Sequence, residues 1–287
     1  MIRGGSLLIT LLSACLLPLP ALCRDIRLST WNMEWVTGRT SGLPENVRPR
    51  TDADFIALGL FAEKLKPDVI GFQEVDGPEL AARIFSLSRY RVFMTDDDIV
   101  QRVGIAVERS LSVTRNPDVT ELNVYPPSAP HALRRGLDVT VSNGRSSLRV
   151  LVVHLKTGCW ERSPGEKRYS CPVLRQQFSV LQDWVLQRQD EGVPFAIIGD
   201  FNRRLAPHDP LFEQLDRISP LTLTTAGRSS PCHGGEYFID SILLGNQARS
   251  WLIPDSLRVR TMRGLSAEET ARLSDHCPVS VRMSLPD

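Results

Sequence analysis

The sequence predicts a mixed α/β sandwich built as one domain over residues 24–287, and three observations predict it. Apolar or β-branched runs of strand length alternate along the chain with longer stretches of helical period. An Asn143-Gly144 pair after a strand-like run calls for a two-residue hairpin turn, so some of the sheet is antiparallel. No linker, internal repeat or shift in composition divides the chain, and the Pro-rich Tyr125–Pro130 is too short to separate domains.

Taken in order, residues 1–23 come first. Arg3 precedes an apolar run, Leu7–Leu17, followed by Pro18, Pro20 and a small-residue site near Ala21-Leu22-Cys23, the layout of a secretory signal peptide. The run is short for a bilayer, and no later stretch approaches the roughly 20 apolar residues of a membrane helix. Leu12-Ser13-Ala14-Cys15 is similar to the lipid-attachment box of bacterial lipoproteins, but the apolar Leu16-Leu17-Pro18-Leu19 after it makes a poor tether. The expectation is therefore soluble export, periplasmic or extracellular, rather than anchoring at Cys15.

Ile26–Trp31 alternates apolar and polar residues, as a half-buried strand does. Thr51–Leu65 has helical spacing, Asp68–Phe72 is a β-branched run, and Pro78–Leu87 opens with a proline suited to a first helical turn. Arg102–Arg109 and Arg135–Ser142 read as hairpin strands, and Leu148–His154 as a buried one. Pro172–Arg188 is a helix with Leu174, Phe178, Leu181 and Val185 on one face. Phe195–Gly199, Tyr237–Leu244 and Cys277–Met283 complete the strands.

With 42% hydrophobic and 23% charged residues, the chain is neither disordered nor low-complexity. Basic and acidic residues number 34 and 33, and residues 1–23 carry only Arg3, so a strongly basic nucleic-acid arm is excluded. Only Lys64, Lys66, Lys156 and Lys167 are lysines; the other basic residues are arginines, which grip planar anions through paired hydrogen bonds. Cys15 and Cys23 leave with the signal segment. Cys159, Cys171, Cys232 and Cys277 then allow three pairings in an oxidising compartment. We expect Cys159 with Cys171, closing a short polar loop, and Cys232 with Cys277. A zinc site from Cys232, His233, His276 and Cys277 lacks C-x-x-C spacing and is disfavoured.

Polar residues gather at the strand ends, where open α/β folds place their sites. Asn32 and Glu34 alternate onto one side of a strand; Gln73-Glu74 ends a second; His154 ends a third; Asp200 and Asn202 follow Ile197-Ile198-Gly199; and Asp240 is joined by Asp275-His276 before the last strand. Singly, each is an ordinary turn or solvated end. Together they crowd like charges at one edge, which is costly unless a cation neutralises them. Oxygen donors favour Mg²⁺ or Mn²⁺, with Ca²⁺ a further option, over zinc.

This ordered series, Trp-Asn, Gln-Glu-Val, a strand-end His, Gly-Asp-Phe-Asn, Ile-Asp and Ser-Asp-His, resembles the endonuclease/exonuclease/phosphatase superfamily over about residues 26–283. The resemblance implies a four-layer α-β-β-α sandwich, two mixed sheets face to face with helices outside, and metal-dependent hydrolysis of phosphoric esters. It implies Glu74 as the principal metal ligand, with Asn32, Asp275 and Glu34, the last matching a second acid of the abasic-site branch. Asp200 is then the residue that positions and deprotonates water, with Asn202 orienting it. His276, oriented by Asp240, contacts phosphate; His154 donates to a phosphate oxygen or the leaving group; and Arg135 matches a phosphate-face arginine. In two respects the chain departs from the deoxyribonuclease I pattern. Gln101-Arg102-Val103-Gly104 offers no acid to partner His154, which implies a less basic residue or a donor only, and Asp76 stands where a groove-binding arginine is expected.

The expected activity is that of an exported phosphodiesterase, a nuclease acting on DNA or RNA. The alternatives are a sphingomyelinase or other lipid or inositol phosphate hydrolase, for which Trp160 is a candidate membrane-facing aromatic, and a binding module that has lost catalysis. The expected partner is a phosphodiester substrate, nucleic acid first and membrane lipid second, with no obligate protein partner.

Overall fold

The computed structural model describes residue 1 and residues 24–168, 170–232, 236 and 238–286. The expected signal segment, with Cys15 and Cys23, lies outside the described residues. Two six-stranded mixed sheets pack face to face with helices on both outer surfaces. The first sheet holds β1 (Arg24–Val36), β2 (Val69–Val75), β3 (Tyr90–Met94), β4 (Arg102–Glu108), β11 (Arg258–Val259) and β12 (Val279–Leu285), in the order β11-β12-β1-β2-β4-β3. The second holds β5 (Ser112–Arg115), β6 (Leu137–Ser142), β7 (Ser147–His154), β8 (Phe195–Asp200), β9 (Leu221–Leu223) and β10 (Asp240–Gly245), in the order β5-β6-β7-β8-β10-β9.

Three apolar clusters account for the four layers. Leu28, Val69 and Ile105 of the first sheet meet Val139, Val150 and Ile198 of the second in the shared core. Outside the first sheet, Phe72 and Trp31 pack against Phe55, Leu58 and Phe61 of α1 (Asp52–Leu65) and Ile84 of α2 (Pro78–Ile84). Outside the second, Leu151 and Ile197 pack against Leu174, Phe178 and Leu181 of α3 (Cys171–Asp190) and Leu211 of α4 (Pro210–Asp216). Burying such side chains stabilises a fold by about 1.5–3 kcal/mol each, the main force holding the layers together. A short α5 (Ala267–Ala271) precedes β12.

Each sheet contains one parallel crossover, β1-α1-β2 and β7-α3-β8. The first is started by a capping box, in which Thr51 Oγ1 accepts from Asp54 N at 3.3 Å and Asp54 Oδ2 accepts from Thr51 N at 2.7 Å. Burial alone would raise the Asp54 carboxyl, but Arg48 and the Thr51 bonds bring it down to about 2. Among the described residues, no helix is long and apolar enough to cross a membrane.

Three expectations need correction. The β6–β7 hairpin closes through a four-residue loop, 143–146, because Asn143 Oδ1 accepts from the amides of Arg145 at 3.0 Å and Ser146 at 2.7 Å. That side-chain turn replaces the two-residue one. The strand expected from Tyr237 begins at Asp240, since the carbonyls of Phe238 and Ile239 accept from the loop after β8, at Leu205 and Phe201; Tyr237 lies outside the described residues. The helix expected to reach Leu87 ends at Ile84.

Candidate active site

Strand register brings the polar ends together. In the parallel β7–β8 pair His154 stands opposite Asp200, and in the antiparallel β8–β10 pair Asp200 stands opposite Asp240. Gly199 permits this close approach: it sits at φ +144°, and a Cβ there would lie 2.0 Å from the carbonyl oxygen of Val153. On the first sheet, β1 and β2 pair in register up to Asn32 and Gln73 and then lose it. Glu34 and Trp35 adopt left-handed backbone at φ 49° and 47°, and Glu74 does so at φ 65°. These irregularities, not simple strand alternation, aim Glu34 and Glu74 at the cleft.

Asn32 joins the two sheets. Its Nδ2 donates to Glu74 Oε1 at 3.2 Å and to Asp200 Oδ2 at 3.1 Å, while its Oδ1 accepts from Glu34 N at 3.0 Å. Asn202, at φ 48°, folds back on Asp200: its backbone N donates to Asp200 Oδ1 at 2.7 Å and its Nδ2 to Asp200 Oδ2 at 3.1 Å. His276 Nδ1 lies 2.7 Å from Asp240 Oδ2, and its Nε2 lies 3.7 Å from Asp275 Oδ1. Ser274 fixes this last motif, donating through Oγ to the carbonyl of Asn32 at 2.7 Å and accepting from His276 N at 2.9 Å. In the sequence, Ser274 stands out only as the first letter of Ser-Asp-His.

Electrostatics separates these groups. Burial pushes the Asp200 carboxyl up to about 7, reinforced by the neighbouring Asp240 carboxylate. Burial opposes charge on His276, but Asp240 outweighs it and holds the imidazole well above its ordinary value. His154 moves the other way, well below its ordinary value, through burial and then the Arg134 charge. Its Nδ1 is buried without a hydrogen-bond partner among the described residues, as the missing acid implied, and its Nε2 is 3.6 Å from both Glu74 and Asp200.

Arg135 is not brought to this cluster. Its Nε pairs with Asp97 Oδ1 at 3.2 Å, and its side chain is 40% exposed. Adjacent residues in an extended segment point to opposite sides, so it is Arg134 that turns inward, within electrostatic reach of Glu74 and Asp200. Its Nη2 donates to Gln101 Oε1 at 2.5 Å. Choosing between two consecutive arginines needed the strand phase, which the sequence did not reveal.

A hard cation fits the residues present. Glu34, Glu74, Asp275 and His276 line one cavity of about 420 Å³, and burial, then the neighbouring Asp275, raises the Glu34 carboxyl. Asp240 Oδ1 is buried with no hydrogen-bond partner among the described residues. Asp200, Asp240 and His276 also offer ligand atoms within 4.8 Å of one another, but His276 Nδ1 is already engaged by Asp240. The Glu34-Glu74-Asp275 side is therefore the better cation cradle. Asn32 faces it with its amide NH₂ turned to Glu74 and Asp200.

Cys159 is bonded to Cys171 and Cys232 to Cys277, with Cα atoms 4.9 Å and 6.4 Å apart. The second bond ends beside His276 and takes both thiols out of the zinc alternative.

The endonuclease/exonuclease/phosphatase family model matches residues 29–276, from the strand carrying Asn32 to His276 itself. The chain belongs to this family. Members of the family are phosphoric ester hydrolases, and the chain is an enzyme of that kind. Truncated Caenorhabditis elegans TDP2 is similar at a TM-score of 0.63 and 16% identity, covering 91% of this chain and 97% of that one. The human nocturnin catalytic domain, with a bound sulfate, matches at 0.59 and 15%, covering 92% and 96%. The Neisseria 3′ phosphatase NExo, bound to a product DNA hairpin, matches at 0.60 and 17%, covering 90% and 99%. At these identities the likeness is one of fold. No curated protein sequence matches the chain.

Proposed function

We propose that this family member is an exported, divalent-metal-dependent phosphodiesterase acting on nucleic acid, with residues 24–287 as its catalytic domain. The observation that carries the reading is the buried Asp200 carboxyl between the His276–Asp240 pair and the Asn32–Glu74 pair. One group there is tuned to accept a proton near neutrality, and beside it stands an imidazolium held charged.

Glu34, Glu74 and Asp275 would hold Mg²⁺ or Mn²⁺, which supplies fixed positive charge against the charge building on the phosphoryl oxygens. The water oxygen, oriented by Asn202, bonds to phosphorus as Asp200 takes its proton, and the phosphorus–oxygen ester bond breaks with the leaving oxygen keeping the electron pair and taking a proton from solvent water. His276, kept protonated by Asp240, donates from Nε2 to a phosphoryl oxygen. His154 serves as a neutral donor, and Arg134 adds a guanidinium for the phosphate. The likeness to NExo, a 3′ phosphatase bound to a product DNA hairpin, supports a nucleic-acid substrate over a lipid one. Trp160, the aromatic on which a lipid reading rests, is 41% exposed, and the Arg204 guanidinium lies 5.9 Å from its ring.

Two disulfides and the signal-like residues 1–23 support export to an oxidising compartment. The test is to assay purified mature protein with Mg²⁺ or excess chelator against DNA, RNA, sphingomyelin and a simple aryl phosphodiester. Metal-dependent cleavage of DNA or RNA is expected. Faster hydrolysis of sphingomyelin than of any nucleic acid refutes the assignment.

A further inference from the structure

A second cavity, of about 610 Å³ and with Asp98 as its one acidic lining residue, shares Trp35 with the Glu34-Glu74-Asp275 cavity. Its size is that of a small-ligand site. Arg134 and Lys156 both line it, and the hydrogen bonds of both end on neutral acceptors among the described residues. Arg134 donates to the neutral amide of Gln101, and Lys156 Nζ to the carbonyl oxygen of Thr157 at 3.3 Å. Both side chains are half-buried. Arg134 has Glu74, Asp200 and Asp97 within electrostatic reach, whereas Lys156 faces the Arg134 charge with only a carbonyl acceptor, and an anion between the two cations would relieve their repulsion. Burial and the Arg134 charge accordingly lower the Lys156 ammonium.

Flat rings line the same wall. Trp35 and Tyr125 are half-buried there and His131 is exposed. Trp35 is fixed close to the reacting centre, because its backbone N donates to Glu74 Oε2 at 3.0 Å. The segment bearing Tyr125 is pinned by Asn123 Oδ1, which accepts from Leu133 N at 2.8 Å. Cations with aromatic faces beside them match a phosphate carrying a planar base, since base–aromatic stacking and charge-assisted hydrogen bonds act on one ligand. They oppose a quaternary ammonium, which like charge would repel.

We propose that this cavity seats the nucleoside beside the scissile phosphodiester, with Lys156 holding that nucleoside's other phosphate and Tyr125 and Trp35 its base. The proposal rests on the phosphodiesterase reading and narrows the substrate to a nucleotide with a second, non-scissile phosphate. It makes phosphocholine the wrong headgroup.

Three p-nitrophenyl esters with a common leaving group test it: thymidine 3′-phosphate 5′-(p-nitrophenyl phosphate), methyl p-nitrophenyl phosphate and p-nitrophenyl phosphorylcholine. Wild-type protein should prefer the thymidine ester in kcat/KM by at least about tenfold over either of the others. In Tyr125→Ala and in Lys156→Gln the thymidine-to-methyl ratio should fall by about tenfold, mainly through KM. A second measurement, calorimetric binding of thymidine 3′,5′-bisphosphate, reads the cavity without turnover and should weaken by a similar factor in each variant. Turnover with an unmoved ratio and unmoved binding overturns the cavity assignment and leaves the phosphodiesterase standing. Bisphosphate binding that is lost in the variants, in a protein that hydrolyses neither these esters nor DNA or RNA, keeps the cavity as a nucleotide site and overturns the phosphodiesterase. A preference for the choline ester overturns the cavity assignment.

Discussion

His276 Nδ1 lies 2.7 Å from Asp240 Oδ2, although 36 residues separate them in the chain. Strand β10 delivers the carboxylate, and the loop before β12 delivers the imidazole. Ser274 holds that loop to Asn32 on β1, the strand beside β12. With Nδ1 engaged, the proposed mechanism assigns Nε2 to the substrate phosphate, and the Asp240 carboxylate favours the charged ring.

His276→Ala should therefore lower kcat by about 10²–10⁴-fold with the fold intact, the usual range for a positioned proton-transfer group. Asp240→Asn should lower it by less, because the amide still orients the ring but no longer holds its charge. Single-turnover kinetics with circular dichroism checks both. A variant within a few-fold of wild type removes its residue from the mechanism.

Excess chelator should abolish hydrolysis, and Mg²⁺ or Mn²⁺ should restore it. Glu74→Gln should raise the metal concentration giving half-maximal rate by at least roughly tenfold, since ligand-shell changes commonly weaken a site by that much. Full activity in chelator would falsify the cation cradle.

Metal-free protein should grow less stable as pH rises from about 4 to about 7, through the window between the ordinary Asp200 value of 3.8 and its folded value near 7. The sign follows from proton counting. A raised pKa means that the folded state holds a proton the unfolded chain has released, so this stabilisation is present at low pH and lost on deprotonation. His276, also raised, extends the loss above pH 6.5. Melting temperatures in chelator should fall across this window, and Asp200→Asn should flatten its lower end. A slope that persists unchanged in that variant assigns the effect elsewhere.

Arg134→Ala should cost about 1.5–3 kcal/mol of transition-state binding, or roughly 10- to 150-fold in kcat/KM, as loss of a charge-assisted contact does. Arg135→Ala removes only a partly exposed ion pair with Asp97 and should cost about 0–1 kcal/mol of stability, with little change in rate. Reversal of the two effects would restore Arg135 to the substrate face.

Replacing Cys159 and Cys171 together by serine should lower stability by about 3 kcal/mol on the chain-entropy model for a loop this short. In a chain of this length that is a fall of roughly 6–12 °C in Tm. Calorimetry of the double variant decides it.

Much of this site was legible because strand ends carry their own punctuation. An apolar run that stops at His154 or at Gly199-Asp200 announces both the strand and the polar side chain at its end. Glu34, Trp35, Glu74 and Asn202 show where that reading ran out. Their left-handed backbone is imposed by packing between distant segments, and no local propensity of these residues foretells it. The arginine pair failed for a related reason. Residue parity in 133–136 depends on where the chain enters β6, and that entry is set by Asp97, Asn123 and Gln101 from other regions of the chain.

Asn32 and Glu74 come from one sheet; His154, Asp200 and Asp240 come from the other. Neither half possesses a chemically competent assembly by itself. On the proposed mechanism, a molecule with one sheet formed lacks half of the catalytic groups, and hydrolysis requires the two sheets to dock where Asn32 meets Asp200. On the proposed mechanism, recovery of activity during refolding therefore reports the docking of the two sheets.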